Sequence, residues 1–333
     1  MHLTWEGVTL NLRTTFRLAR STSDQRHNVI AHLDEGLGEA AAVPHYHDTQ
    51  AGLMDDLARL ASHLGDDPFQ IEDILNGLPP CSQAARAAVD VALHDLWGKR
   101  LGQPLYRLLG LNPGRVPQTS FTIAMDEPAV MAERARQSGY PIIKVKLGSA
   151  DDEAIVSAIR QATSARLRVD ANAGWTREQA ADLIPRLAEY DLEFIEQPLP
   201  AGDLEGLRWL QARKLGVPIF GDEGVKTARD VARHAGLLEG VVIKLMKAGG
   251  IREALRAIAV ARSLDMRVML SCMIETSVGV TAAAHLAPLC DYVDLDGPLL
   301  IANDPFVGLR YEGATLTLPD LPGIGATVRN GYP

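Results

Sequence analysis

Three acidic residues, Asp170, Glu196 and Asp222, stand 26 residues apart, each closing a short apolar run. Placed at the ends of three adjacent strands, their carboxylates converge on one point, and three converging carboxylates need a cation. Ligation by oxygen alone, without His or Cys, points to Mg²⁺, with Mn²⁺ as the alternative, and octahedral coordination leaves about three positions for water or substrate. Acidic residues also end strands as caps of the next helix, a reading that suits one such residue better than three in register. Lys146 and Lys244 close two further runs. A lysine at the inner end of a strand is costly unless it is paired or its pKa falls, and a neighbouring cation such as Mg²⁺ or Lys144 lowers it towards a usable base. Two bases on opposite faces of one carbon can remove a proton from one side and return it on the other.

These groups need a scaffold that brings strand ends together. After Asn112-Pro113-Gly114, eight β-branched or apolar runs recur at about 22 to 28 residues with helical segments between them. They are Thr119 to Ile123, Ile142 to Leu147, Leu167 to Asp170, Leu192 to Glu196, Pro218 to Asp222, Val241 to Leu245, Arg267 to Ser271 and Tyr292 to Asp296. Strand–helix alternation means a parallel sheet, and eight units imply a (β/α)8 barrel with its site at the C-terminal ends of the strands. A doubly wound open sheet is the competing architecture, but no G-x-G-x-x-G or Walker pattern occurs. Gly249-Gly250 reads as a tight turn, with an anion-binding helix start as the alternative.

Ahead of the barrel, Leu3, Trp5, Leu10 and Leu12 alternate as in a strand, and Val29 to Leu33 form a second run ending at Asp34-Glu35-Gly36. The polar stretch Arg20 to Arg26 between them reads as a loop. From about Thr49 the spacing turns helical, with Leu53, Leu57, Leu60 and Leu64, and then Ala85, Val89, Ala92 and Leu96. The α/β reading is therefore an α+β capping domain over residues 1–115, a barrel over 116–310 and a segment 311–333 that returns to the capping domain.

Composition excludes several functions. The 333 residues carry 33 Lys and Arg against 42 Asp and Glu, a net charge of −9, with no basic run, so nucleic acid and anionic membranes are not expected partners. A homo-oligomer stays open. Three unpaired cysteines, Cys81, Cys272 and Cys290, and no signal-peptide or membrane-length apolar stretch, point to the cytoplasm.

Taken together, Ile143-Lys144-Val145-Lys146, Asp170-Ala171-Asn172-Ala173-Gly174-Trp175, Glu196-Gln197-Pro198, Gly221-Asp222-Glu223 and Ile243-Lys244-Leu245-Met246-Lys247-Ala248-Gly249-Gly250 resemble the enolase superfamily, muconate-lactonizing subgroup. The resemblance spans nearly the whole chain. It implies that Lys146 and Lys244 are the acid/base pair, that Asp170, Glu196 and Asp222 hold Mg²⁺, and that Lys144 touches a metal-bound carboxylate and depresses the pKa of Lys146. It also implies that Thr122 and Cys272-Met273-Ile274 line the substrate cleft, where Ser271-Cys272 departs from the more usual Gly-Ser. With no His placed to activate it, Cys272 reads as a packed strand-end residue. His45 and His47 have no zinc spacing and read as loop residues in reach of substrate.

The subgroup includes cycloisomerases, o-succinylbenzoate synthases, N-acylamino-acid racemases and dipeptide epimerases, so the fold leaves the substrate open. Asp294 and Asp296 share one strand face, opposite the metal strands, and such a pair wants a positive group. A carboxylate on Mg²⁺, an ammonium at the aspartates and an acidic α-carbon between them describe a dipeptide. The same Asp-x-Asp resembles the signature of dipeptide epimerases. A Mg²⁺-dependent dipeptide epimerase is the leading expectation, an N-acylamino-acid racemase or o-succinylbenzoate synthase the alternative, and a barrel that binds a small acid without turnover the rival of another class. In the family's Ala-Glu epimerases a capping-loop arginine binds the glutamate side chain. Here Ser21 or Ser23 falls at that place, with Arg20 and Arg26 nearby, which implies specificity broader than Ala-Glu or shifted to non-acidic residues.

Overall fold

The computed structural model describes residues 1–18, 21–43 and 46–331. The chain opens with an antiparallel meander, β1 (Leu3–Leu18), β2 (Ser21–Leu33) and β3 (Gly36–Ala40). Gly36 and Gly38 let β3 lie directly on the helix Gln83–Leu101, since a Cβ at Gly38 would stand 2.0 Å from the Ala88 carbonyl oxygen. That helix starts on a Ser82 side-chain cap and stops at Gly102, which is left-handed at φ 63°. The helix Gln50–Leu60 buries Leu53, Leu57 and Leu60, the stripe expected from spacing, and is capped by Thr49.

One expectation fails in this unit. Ser21–Arg26 is strand, not loop: Phe16, Arg17 and Leu18 pair with Ser23, Thr22 and Ser21 across a register break after Asn11. In this half of the hairpin the apolar contacts come from Phe16 and Leu18 of β1, while Ser21–Arg26 is polar throughout and has no alternation to detect. Arg20 and His45 lie outside the described residues.

The barrel follows as eight parallel strands in ring order: β4 (Phe121–Ile123), β5 (Ile142–Lys146), β6 (Arg166–Asp170), β7 (Leu192–Glu196), β8 (Ile219–Gly221), β9 (Gly240–Ile243), β10 (Arg267–Ser271) and β11 (Tyr292–Asp294). All eight lie at the expected runs, with ends displaced by a few residues. A single parallel bridge, Thr119 to Val293, nearly closes the ring between its first and last strands.

Strand periodicity of two explains the barrel interior. Two residues below each chemical end lies an inward floor residue: Arg168 below Asp170, Phe194 below Glu196, Phe220 below Asp222, Val242 below Lys244, Met269 below Ser271 and Tyr292 below Asp294. Phe194, Phe220, Val242 and Met269 are fully buried and pack together with Tyr292. The Arg168 guanidinium lies 4.9 Å from the Tyr292 ring centre and 5.5 Å from that of Phe194, and its Nε donates to Glu193 at 2.7 Å. A dry aromatic floor thus supports a charged layer above it.

The cap is tied both to the barrel and to the C-terminal segment. Asp90 of the Gln83–Leu101 helix accepts from the backbone N–H groups of Ile251 and Arg252 at 2.7 and 3.2 Å, so a protein carboxylate occupies the helix start behind Gly249-Gly250. Near the C-terminus, Ile324 N–H donates to Asp95 at 2.8 Å and Leu105 N–H to Gly323 at 2.8 Å. Among the described residues no helix is long and apolar enough to cross a membrane.

Candidate active site

Register brings the acids together. Lys146 pairs with Asp170 across β5–β6, and Asp170 with Glu196 across β6–β7, while Asp222 is the first residue after β8. The three carboxylates offer oxygens within 4.8 Å of one another and are all buried. The chain turns sharply behind them: Asn172, Ala173 and Gln197 have positive φ of 47°, 59° and 39°. Gln197 uses that turn to accept from Asp222 N–H at 2.8 Å, fixing one acid from the strand end of another.

Lysines surround the cluster. Lys146 Nζ is 2.6 Å from Asp170 and Lys244 Nζ is 2.8 Å from Asp222. Lys144 Nζ lies 2.7 Å from Glu196, 3.4 Å from Asp170 and 2.9 Å from Asp294. Burial would raise Asp170, but Lys146 and Lys144 hold it below the usual carboxylate range. Asp222 is lowered likewise, by Lys244 and Lys247 against its burial. Glu196 behaves oppositely. Burial and the Asp170 charge push it well up, and neither of its oxygens has a hydrogen-bond donor in bonding geometry. A fully buried carboxylate whose close cation, Lys144, is shared with two other acids and makes no well-aligned hydrogen bond to it suits a hard divalent cation.

Burial pulls Lys244 down, but Asp222, Glu196 and Asp170 together outweigh burial and hold it above the ordinary lysine value. Lys247 was not singled out from sequence. It sits three residues on, in the one-turn helix Leu245–Ala248, donates to the Asp222 side chain, and donates to the Asp222 carbonyl at 2.6 Å. Its signal was the Lys-x-x-Lys spacing, which sets Lys247 one turn beyond the N-cap residue Lys244.

The two aspartates at the end of β11 part company. Asp294 already meets a cation, Lys144, which bridges it to Glu196 from the facing strand, and Ser120 and Ser271 also donate to it at 2.7 and 3.0 Å. Asp296 accepts the Thr122 backbone N–H at 2.6 Å, and burial with the Asp294 charge pushes its carboxyl up to about 7. Of the two, Asp296 is the one still short of a positive partner.

Above this layer is a cavity of about 1260 Å³ between the barrel mouth and the capping hairpin. Lys144, Lys146, Asp222, Lys244, Asp294 and Asp296 reach it, as do Thr122 and Cys272-Met273-Ile274. Asp170 and Glu196 are fully buried beneath it. Burial raises the Cys272 thiol well above its ordinary value, in keeping with a packed residue. The hairpin contributes Ser21, Ser23 and Arg26, and Tyr46 rather than His47 lines the wall from the following loop.

Two family models match the chain: the mandelate racemase/muconate lactonizing enzyme N-terminal domain over residues 4–110 and the enolase C-terminal domain-like family over residues 128–332. It is 40% identical over 335 residues to an L-Ala-D/L-Glu epimerase of Bacteroides thetaiotaomicron, across 98% of this chain and 87% of that enzyme. It is 41% identical over 263 residues to a hydrophobic dipeptide epimerase of Roseobacter litoralis, across 76% of this chain and 75% of that enzyme. Among solved structures, a dipeptide epimerase from Enterococcus faecalis V583 complexed with Mg and L-Leu-L-Tyr matches with a TM-score of 0.93 at 33% identity, covering 98% of this chain and 99% of that one.

Proposed function

The chain belongs to the mandelate racemase/muconate lactonizing enzyme family of the enolase superfamily, and from that premise we propose that it is a dipeptide epimerase inverting the α-carbon of the C-terminal residue by two-base proton transfer. It is an isomerase. The observation that carries the two-base reading is the placement of Lys146 and Lys244: they follow facing strands of the ring, and each touches a different carboxylate of the one acid cluster. A substrate lying over that cluster has an amine on either side of its α-carbon. One lysine removes the α-proton as general base, electron density moves into the carboxylate as an enediolate, and the other lysine, protonated, returns a proton to the opposite face. Mg²⁺ held by Asp170, Glu196 and Asp222 would supply positive charge facing that carboxylate and offset the acids that now raise Lys244. Lys144 adds fixed charge to the same layer, in a water-poor site where it counts most.

Asp296 supports a dipeptide over an N-acyl amino acid, because an acyl substrate brings no ammonium to a buried carboxylate that lacks a cation. Asp296→Asn is expected to lower kcat/KM for dipeptides about ten- to hundredfold, the worth of a charge-assisted contact of about 1.5–3 kcal/mol. N-acetylated analogues should change little, and equal losses for both would remove the ammonium role. Asp294→Asn should harm both, since it releases Lys144.

The capping hairpin bears on the side chain at the inverted carbon. Ser21 and Ser23 present hydroxyls, and Arg26 Nη1 is turned back onto the Gln25 carbonyl at 3.0 Å. With no guanidinium among the hairpin's described residues fixed on a substrate carboxylate, recognition of glutamate loses its bidentate contact. We expect kcat/KM for L-Ala-L-Glu to exceed those for L-Ala-L-Phe and L-Ala-L-Leu by less than about a hundredfold, roughly 2.7 kcal/mol. A steeper preference contradicts this reading of the hairpin. The three free cysteines favour a reducing, cytoplasmic setting.

A further inference from the structure

A second pair of carboxylates, unused by the proton-transfer chemistry, lies where the cap meets the barrel. Glu39 of β3 and Glu275, in the segment after β10, are 0% and 1% exposed. Their side chains meet at Gly279, where an added Cβ would stand 2.3 Å from Glu275 Oε2 and 3.1 Å from Glu39 Oε2. Glu39 is rich in donors. It accepts from Asn28 Nδ2 at 2.9 Å, from Thr276 N–H and Oγ1 at 2.9 and 2.6 Å, and from Gly279 N–H at 3.0 Å, so the cap supplies the N-terminal anion of the barrel helix Ser277–Ala284. Glu275 is poor in donors. Its Oε1 accepts the Met273 N–H at 2.7 Å, and its Oε2 has no hydrogen-bond partner.

We propose that Glu39 and Glu275 share one proton, carried by Glu275 and donated to Glu39, and that this link is a positioning device holding the cavity wall Cys272–Ile274 to the capping domain. Two buried carboxylates that converge on one glycine do not both ionise without a large cost, and the one with four donors keeps the charge. Burial and the neighbouring Glu39 charge push the Glu275 carboxyl up to about 8. The wall is held from both sides of the pair. Glu275 grips Met273 N–H, Asn28 donates to the Ile274 carbonyl at 3.1 Å as well as to Glu39, and Met273 and Ile274 both line the cavity. The other charged groups near this junction are Lys244, whose charge reaches Glu275, and Asp304, which caps Ser277 at 2.9 Å.

The proton gives the sign of the pH effect. Below pH about 8 Glu275 is neutral and the link is intact, and as pH rises through that value two buried charges repel and the wall loosens. Glutamine keeps both functions, an amide N–H for Glu39 and a carbonyl for Met273, at every pH, whereas leucine keeps neither. Infrared difference spectra of the full-length wild type minus Glu275→Gln should show the carbonyl band of a protonated carboxylic acid at pH 6.5, fading as pH passes about 8. This readout needs no substrate, so it stands apart from the epimerase reading on which the kinetic readout rests. In the kinetics, KM for L-Ala-L-Glu should rise above pH about 8 in the wild type, and in Glu275→Gln the rise should shrink to the part due to the substrate's own ammonium, which loses its proton at about 7.7–8.0. Glu275→Leu should raise KM about tenfold or more at pH 7, with a much smaller change in kcat. Absence of the protonated band, or a Glu275→Gln variant whose KM follows the same alkaline rise as the wild type, would overturn the proposal.

Discussion

Replacing either lysine with alanine, Lys146→Ala or Lys244→Ala, is expected to reduce epimerisation by about a thousandfold or more, within the usual worth of a positioned acid or base. The two variants should fail differently. Each keeps the base on one face only, so each should still exchange the α-proton of one substrate epimer with solvent, and the epimer should switch between the two. Mg²⁺ affinity should survive in both, because each amine sits beside a carboxylate, 2.6 Å from Asp170 and 2.8 Å from Asp222, without being a ligand itself. Full turnover in either variant would remove the two-base assignment, and loss of Mg²⁺ binding in both would mean that the lysines serve the acid cluster structurally.

Glu196→Gln is expected to separate metal binding from folding. Glu196 is the buried acid that receives no well-aligned hydrogen bond, its ion pair with Lys144 notwithstanding, and burial raises its pKa well above the ordinary value. For an acid with a raised folded-state pKa, the native state holds its proton more tightly, so ionisation costs stability as pH climbs past the unfolded value of about 4.3. At pH 7 the metal-free variant should therefore melt no lower than metal-free wild type. Mg²⁺ should tell them apart. At a hundred times its Kd a cation stabilises a binding-competent protein by about 2.7 kcal/mol, and this increment should vanish in Glu196→Gln together with activity. Calorimetric Mg²⁺ titration and thermal melts with and without Mg²⁺ check both halves. A variant that binds Mg²⁺ as tightly as the wild type would take Glu196 out of the ligand set.

What the chain revealed before folding divides along physical lines. Asp170, Glu196, Asp222, Lys146 and Lys244 were legible because a parallel barrel places strand ends together, so one regular spacing carries both the architecture and the cluster. Residues whose role depends on a distant partner were not. Asp294 read as a receptor for a substrate cation, yet Lys144, 150 residues earlier, already occupies it. Glu39 and Glu275 are separated by most of the chain and meet only because β3 packs against the helix behind β10. The hairpin tip at Ser21–Arg26 misled for a different reason: a strand whose residues are all polar has no hydrophobic period, and only its pairing partner defines it.

The most direct test of the central claim uses the wild-type enzyme with Mg²⁺ and L-Ala-L-Glu in D₂O, stopped at low conversion, with the α-hydrogen of substrate and product read by NMR. Two opposed lysines predict that the first L-Ala-D-Glu formed carries deuterium at its α-carbon while unreacted substrate keeps its proton, because the returning proton comes from the second, solvent-equilibrated amine. Early product that retains the substrate's own proton would mean that one base serves both faces, and would contradict the account.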